Sequence, residues 1–160
     1  MYLDTAKAKF SEVFQGTNFV PKPASEGEIQ EMEQELHLTF PPAYREFLLW
    51  MGHGAGGFAS HFIFNIHRLP RNQESARELI EDEGLILPDD AIVFCWGNQG
   101  YYFKFIQAHD GDNPKVHDYH EGEGFLWEHR PDLQNFILNC IKWYDERPEL
   151  LARLRAGYEY

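Results

Sequence analysis

The stretch HDGDNPKVHDYHEGEG, residues 109–124, gathers His109, Asp110, Asp112, His117, Asp118, His120, Glu121 and Glu123 into one short segment. Imidazoles and carboxylates at this density are the donors of a zinc site or of a harder cation site. Asp110, Asp112 and Glu121 meet the first, third and twelfth positions of a calcium loop, but Pro114 holds the fifth and Lys115 replaces the glycine at the sixth. On an extended strand His117 and His120 point to opposite faces, which does not suit joint ligation. The segment reads as a solvated acidic hairpin, and no metal or other cofactor is assigned to the chain. A metal-dependent hydrolase built on residues 109–123 stands as the outlying alternative.

A second pattern is a literal G-x-G-x-x-G at Gly52, Gly54 and Gly57, the spacing of a phosphate cradle. Such a cradle follows a strand and opens a helix, whose N-terminal N–H groups face the anion. Here the order is reversed. Tyr44, Phe47, Leu48 and Met51 repeat at helical spacing ahead of the glycines, so a phosphate would meet helix C-terminal carbonyls. The glycines read as a turn. Nucleophilic chemistry finds no better support, because no serine lies in G-x-S-x-G and H-E-x-x-H is absent. Ser60 and His61 are strand neighbours facing apart. Cys95 and Cys140 lie in apolar settings that disfavour the thiolate. No catalytic residue is assigned, and the chain reads as a non-enzyme.

The elements that position these residues follow from periodicity. Ser25 and Glu28 form a capping-box pattern ahead of Ile29, Met32 and Leu36, which share a helical stripe. Phe40 precedes a proline and is driven out of the helical region, so that helix stops; Pro42 opens the next, which ends at Gly52. FASHFIFNIHRL alternates as a strand, with Phe62, Phe64 and Ile66 on one face. PRNQESARELIEDEG predicts a surface helix crossing to a hairpin, DAIVFCWGNQGYYFKFI, bent at Gly97–Gly100. One or two further strands lie in PKVHDYHEGEGFLWE. PDLQNFILNCIKWYDE, with Pro131 in its first turn, and PELLARLRAGY predict the closing helices. Strands clustered in mid-chain imply an α+β domain spanning 1–160. Its single mostly antiparallel sheet is covered on one face by helices gathered at the N- and C-terminal ends.

Fourteen basic residues against 26 acidic ones give a formal charge of −12. That balance repels nucleic acid and anionic membranes and favours a basic protein partner. No apolar segment has the length of a signal peptide or a membrane span, so the expected location is cytoplasmic, with both cysteines as free thiols.

The order of these signals resembles the SUKH superfamily, which includes cell-wall-assembly regulators of yeast and bacterial toxin-immunity proteins. The distinctive match is FPPAYREFLLWMGHGAGGF. In it Pro42, Tyr44, Phe47, Leu48, Gly56 and Gly57 carry the family's Leu-Pro-x-x-Tyr-x-x-Phe-Leu-x-x-x-Asn-Gly-Gly helix and turn. EIQEMEQELHL, GNQGYYFKF, HDGDNPKVHDYHEGEG and DLQNFILNCI resemble its other elements, over about residues 26–145. Phe40 stands where leucine is usual, and no asparagine precedes the double glycine. The resemblance implies a non-catalytic protein-binding module, often an immunity protein that occludes a toxin, with a regulatory adaptor as the alternative.

Two acidic clusters would steer a basic partner: Glu78, Glu81, Asp82, Glu83, Asp89 and Asp90, and, on the hairpin, Asp110, Asp112, Glu121 and Glu123. Tyr101, Tyr102, Tyr119 and Trp127 would supply the apolar anchors. The expected partner is a basic toxin domain; a nuclease, whose positive cleft an acidic protein can fill by mimicking nucleic acid, is one such case.

Overall fold

The Ser25 hydroxyl accepts the Glu28 N–H at 3.1 Å, so α2 (Glu26–Leu36) starts where the capping pattern says it must. Half of the expected box is missing, because the Glu28 carboxylate reaches His53 instead. Pro42 occupies the first turn of α3 (Pro42–Met51), where its absent N–H costs nothing. Arg45 on α3 pairs with both Glu26 and Glu33, clamping α2 against it. The first helix, α1 (Asp4–Val13), has no capping side chain of its own. Its free N–H groups are taken by other helices: buried Glu46 of α3 accepts from Tyr2 and Leu3, and Gln134 accepts from Thr5 and Ala6.

Among the described residues, 1–159, the computed structural model continues with β1 (Phe62–Ile63), a 3-10 turn (Ile66–Arg68) and α4 (Leu69–Glu81). Strands β2 (Ala91–Gly97), β3 (Tyr102–Gln107), β4 (Val116–His120) and β5 (Gly124–Arg130) follow, then α5 (Leu133–Asp145) and α6 (Pro148–Arg155). The five strands form one sheet in sequence order, every neighbour antiparallel. The fold is α+β, as expected.

Two local expectations are corrected. The strand predicted across 58–69 shrinks to Phe62 and Ile63, and the chain then turns because the Ile66 N–H bonds to Gly52 O at 2.8 Å. Phe64 and Ile66 are buried all the same. Amides of α4 replace the pairing a longer β1 would have given: Gln73 donates to Ala91 O and accepts from Val93 N, and Asn72 donates to Val93 O. The edge of β2 is thus closed by side chains rather than backbone. Pro131 lies outside α5, whose cap is Asp132, accepting from Asn135 N at 2.7 Å.

The sheet is also covered on two faces rather than one. Ile92, Phe94, Ile106 and Val116 pack into the main core with α1, α3 and α5. On the reverse, Ala76 and Ile80 of α4 meet Val93, Phe103, Phe105 and Tyr119 in a second, smaller core. Alternation along β2 and β3 sends neighbouring residues to the two layers.

The glycine turn after α3 works by close approach. Gly52 keeps right-handed angles (φ −60°, ψ −20°), so it is not a left-handed helix cap. A Cβ there would lie 2.6 Å from the Cβ of Ala24, and one on Gly56 would lie 2.7 Å from Asn18 O, at a φ of +65°. Gly52→Ala and Gly56→Ala are each expected to cost at least about 2 kcal/mol in urea unfolding. Gly84→Ala, at a φ of +68° in open space, is expected to cost about 1 kcal/mol, the backbone strain alone. Equal small losses at all three positions would contradict the close-approach reading.

Candidate functional site

The hairpin β4–β5 is where most of the sequence-selected residues fall, and its strands sort them by face and by end. Tyr102, Lys104, Asp118 and His120 share the helix-side face. There the Lys104 ammonium pairs with both Asp118 oxygens, at 2.7 and 2.9 Å, and lies 5.6 Å from the centre of the Phe136 ring of α5. His129 Nδ1 lies 2.8 Å from the same carboxylate. Both charges are buried, and the two hydrogen bonds between them compensate the water each has lost. Tyr102 stacks on His120 and is half-buried, whereas its neighbour Tyr101 is 42% exposed.

On the other face Phe103, Phe105, His117, Tyr119, Phe125 and Trp127 form a continuous aromatic layer. α4 and the loop after it roof one side of this layer. Tyr119 lies beneath that roof and is fully buried, so it offers no surface to a partner. Trp127 and Leu126 on the edge strand β5 remain about half exposed, at 49% and 51%.

The acidic residues regroup in space. Gly122 N–H donates to Glu83 Oε1 at 2.8 Å, which joins the end of α4 to the β4–β5 turn. Glu81, Asp82, Glu83, Glu121 and Glu123, split by sequence into two clusters, therefore border one exposed rim at the Phe125 end of β5, with Trp127 farther along the strand, its ring 5.1 Å from that of His117. The Gly122 N–H, and next the Tyr119 hydroxyl, hold the Glu83 carboxyl below its ordinary value. Asp110 and Asp112 lie elsewhere, in the β3–β4 loop, at the far end of β4 and about 16 Å along the strand. Asp110 accepts from Lys115 N, and Asp112 O accepts the Ala43 N–H, tying the loop to α3. Asp90 is occupied by Gln107 and His109 N–H, whereas Asp89 is exposed.

This geometry leaves the hairpin's metal chemistry without a centre: among the described residues, His109, Asp110, Asp112, His117, His120, Glu121 and Glu123 do not converge. A different trio does. Glu28, His53 and His67 bring their ligand atoms within 4.8 Å of one another. Residues 25 and 14 positions apart give no local spacing to read, so the sequence alone carries no signal for them. The thiols are also poor nucleophiles: burial pushes Cys95 well up and Cys140 up to about 12.

A family model described as the SMI1/KNR4 family (SUKH-1) matches residues 23–140. The chain belongs to that family. The match runs from just before α2 into α5, so this SUKH-1 domain adds α1 and α6 outside the matched segment. The signature residues of this SUKH-1 chain are structural: Tyr44, Phe47 and Leu48 are buried in the core, Pro42 starts α3 and Gly56 touches Asn18. No curated protein matches the chain. No helix among the described residues is long and apolar enough to cross a membrane.

His117 supplies the pH-sensitive element of this hairpin. Its Nδ1 accepts the Glu128 N–H at 2.8 Å, which requires a neutral ring, and Glu128 is thereby held at a φ of +54°. Burial lowers its pKa from the ordinary value; Asp110 and Glu128 pull it up, Lys115 pushes it further down and Asp118 raises it slightly. The unfolded ring takes its proton near pH 6.5, the native ring only below that. Stability from this residue is complete above about pH 6.5 and falls as pH drops through the window beneath it. Urea titrations at pH 8 and pH 5.5 are expected to show a smaller acid loss for His117→Asn than for the wild type. Equal losses would contradict this assignment.

Proposed function

We propose that this SUKH-1 protein is a non-enzymatic binding module that covers a basic surface of a partner protein, in the manner of an immunity protein on a toxin domain. The observation that carries the reading is the rim in which Glu83 meets Gly122. It sets five carboxylates at one end of the edge strand β5, along which the aromatic layer runs from Phe125 to the half-exposed Trp127. An acidic border with an aromatic centre is the composition of a surface that attracts a basic partner and then excludes water from its anchor.

Glu121, Glu123 and Trp127 take the contact roles, with Tyr101 at the margin. Glu121 N–H bonds Tyr101 O at 2.8 Å, so that residue stands next to the rim. Asp110 and Asp112 lie at the other end of β4, where Asp110 accepts the Lys115 N–H and the Lys115 ammonium reaches Glu128 next to Trp127, so they extend the negative field to that end of the anchor. A toxin that cleaves nucleic acid has the positive cleft that such a field fits. Family membership supports a non-catalytic role, and the raised thiols agree with it.

The test is capture of partners from the native source on three baits: wild type, Trp127→Ala, and Glu121→Lys with Glu123→Lys. A partner held by the wild type at low salt and released at high salt is expected to be lost from both variants. A partner recovered equally on all three baits would place the binding surface elsewhere.

A further inference from the structure

We propose that Glu28, His53 and His67 form a binding site for a zinc-class divalent cation, at the junction of α2, the glycine turn and α4. Two imidazoles and one carboxylate are donors that favour a borderline ion such as Zn2+ over calcium or magnesium, which prefer all-oxygen shells. Three protein ligands leave a fourth position for water, and the partial exposure of the trio gives that position access to solvent.

Three observations converge on this site. His53 Nε2 lies 2.5 Å from Glu28 Oε2, and the His53 and His67 rings are 4.7 Å apart between centres. Donors around a tetrahedral zinc stand about 3.3 Å from one another, given bonds of about 2.0–2.1 Å. Entry of the ion therefore needs the His53 and Glu28 donors to part by about 1 Å and donors as much as 4.8 Å apart to close by about 1.5 Å, displacements on the scale of side-chain torsions. Second, Glu28 occupies the capping-box position of α2, yet its carboxylate is turned away from the helix start toward His53.

Third, the backbone that carries the three ligands is pinned independently of them: Glu28 N–H bonds the Ser25 hydroxyl at 3.1 Å within α2. His53 N–H bonds Lys22 O at 2.9 Å, Lys22 N–H bonds Gly54 O at 2.9 Å, and Ile66 N–H bonds Gly52 O at 2.8 Å. Residues from three separate segments are thus held on one spot by contacts that would persist without any ligand, which is the preorganisation a metal site needs. A hydrogen bond between His53 and Glu28 accounts for one pair. It gives no reason for a second imidazole to lie against the first.

Bound ion would tie the start of α2 to the entry of α4, adding stability to the signature turn without touching the acidic rim. The experiment uses the full chain without an affinity tag, stripped with chelator. Zn2+ is titrated calorimetrically and Co2+ by visible absorption, and thermal unfolding is followed with and without Zn2+. One ion per chain, the intense bands of tetrahedral Co2+, their loss on adding Zn2+, and a midpoint raised by about 5 °C are expected.

Glu28→Gln keeps a hydrogen-bonding group beside His53 but removes the anion, and His67→Ala alters an exposed residue with little risk to folding. Each is expected to weaken binding at least about 10-fold. His109→Ala with His120→Ala, in the hairpin, is expected to leave it unchanged. Absence of stoichiometric binding by the wild type would overturn the proposal. So would affinity undiminished in Glu28→Gln and His67→Ala, or affinity lost in the hairpin variant.

Discussion

The structure depends on one close backbone approach, that of residues 18–24 to the turn 52–57. Ala24 N–H reaches Leu48 O, Lys22 and His53 exchange bonds across the gap through Gly54, and Ile66 closes onto Gly52. No side chain fits where Gly52 and Gly56 meet Ala24 and Asn18. The same contact delivers α3 to the core, turns the chain into β1 and sets the entry angle of α4. A turn whose amides and carbonyls are consumed in this way has no free cup for a phosphate. The glycines therefore serve the fold, and the helix before them supplies the main core with Tyr44, Phe47, Leu48 and Met51.

From this junction the sheet inherits its two faces. On one, the helices enclose the Lys104–Asp118 pair, where two hydrogen bonds join the charges and the Phe62 and Phe136 rings line the ammonium. Burial on that side makes Asp118 unsuited to meeting a partner, however polar it looks in the sequence, whereas Tyr102, stacked on His120, is only half-buried. On the other face α4 roofs only part of the aromatic layer. The turn after it reaches the β4–β5 hairpin through Glu83, leaving Trp127 beyond the roof. The boundary between covered and uncovered aromatics, edged with carboxylates, is the surface on which the binding proposal rests.

Elements with a local code were legible in the sequence. Ser25 caps α2, Pro42 opens α3, the Gly97–Gly100 bend joins β2 to β3, and the helical stripe through Leu133, Phe136, Ile137 and Ile141 is the buried face of α5. Features decided by tertiary contact were not. The alternating run 58–69 looked like a strand because Phe64 and Ile66 are buried, but a bond from Ile66 to Gly52 bends it, and Gln73 takes the vacated edge. The candidate site shows the same division. Spacing found the acidic hairpin, but only the fold separates Asp110 and Asp112 from Glu121 and Glu123, buries Tyr119, and assembles Glu28 with His53 and His67.

The central claim is that the glycine turn is a rigid tertiary junction. Native-state amide hydrogen exchange tests it most directly, because exchange from a bonded amide reports the opening that frees it. The account predicts that the amides of Lys22, Ala24, His53 and Ile66 exchange only through global unfolding, with the same protection as those in the centres of β2 and β3. Exchange of these four at the rate of the exposed β3–β4 loop would contradict it.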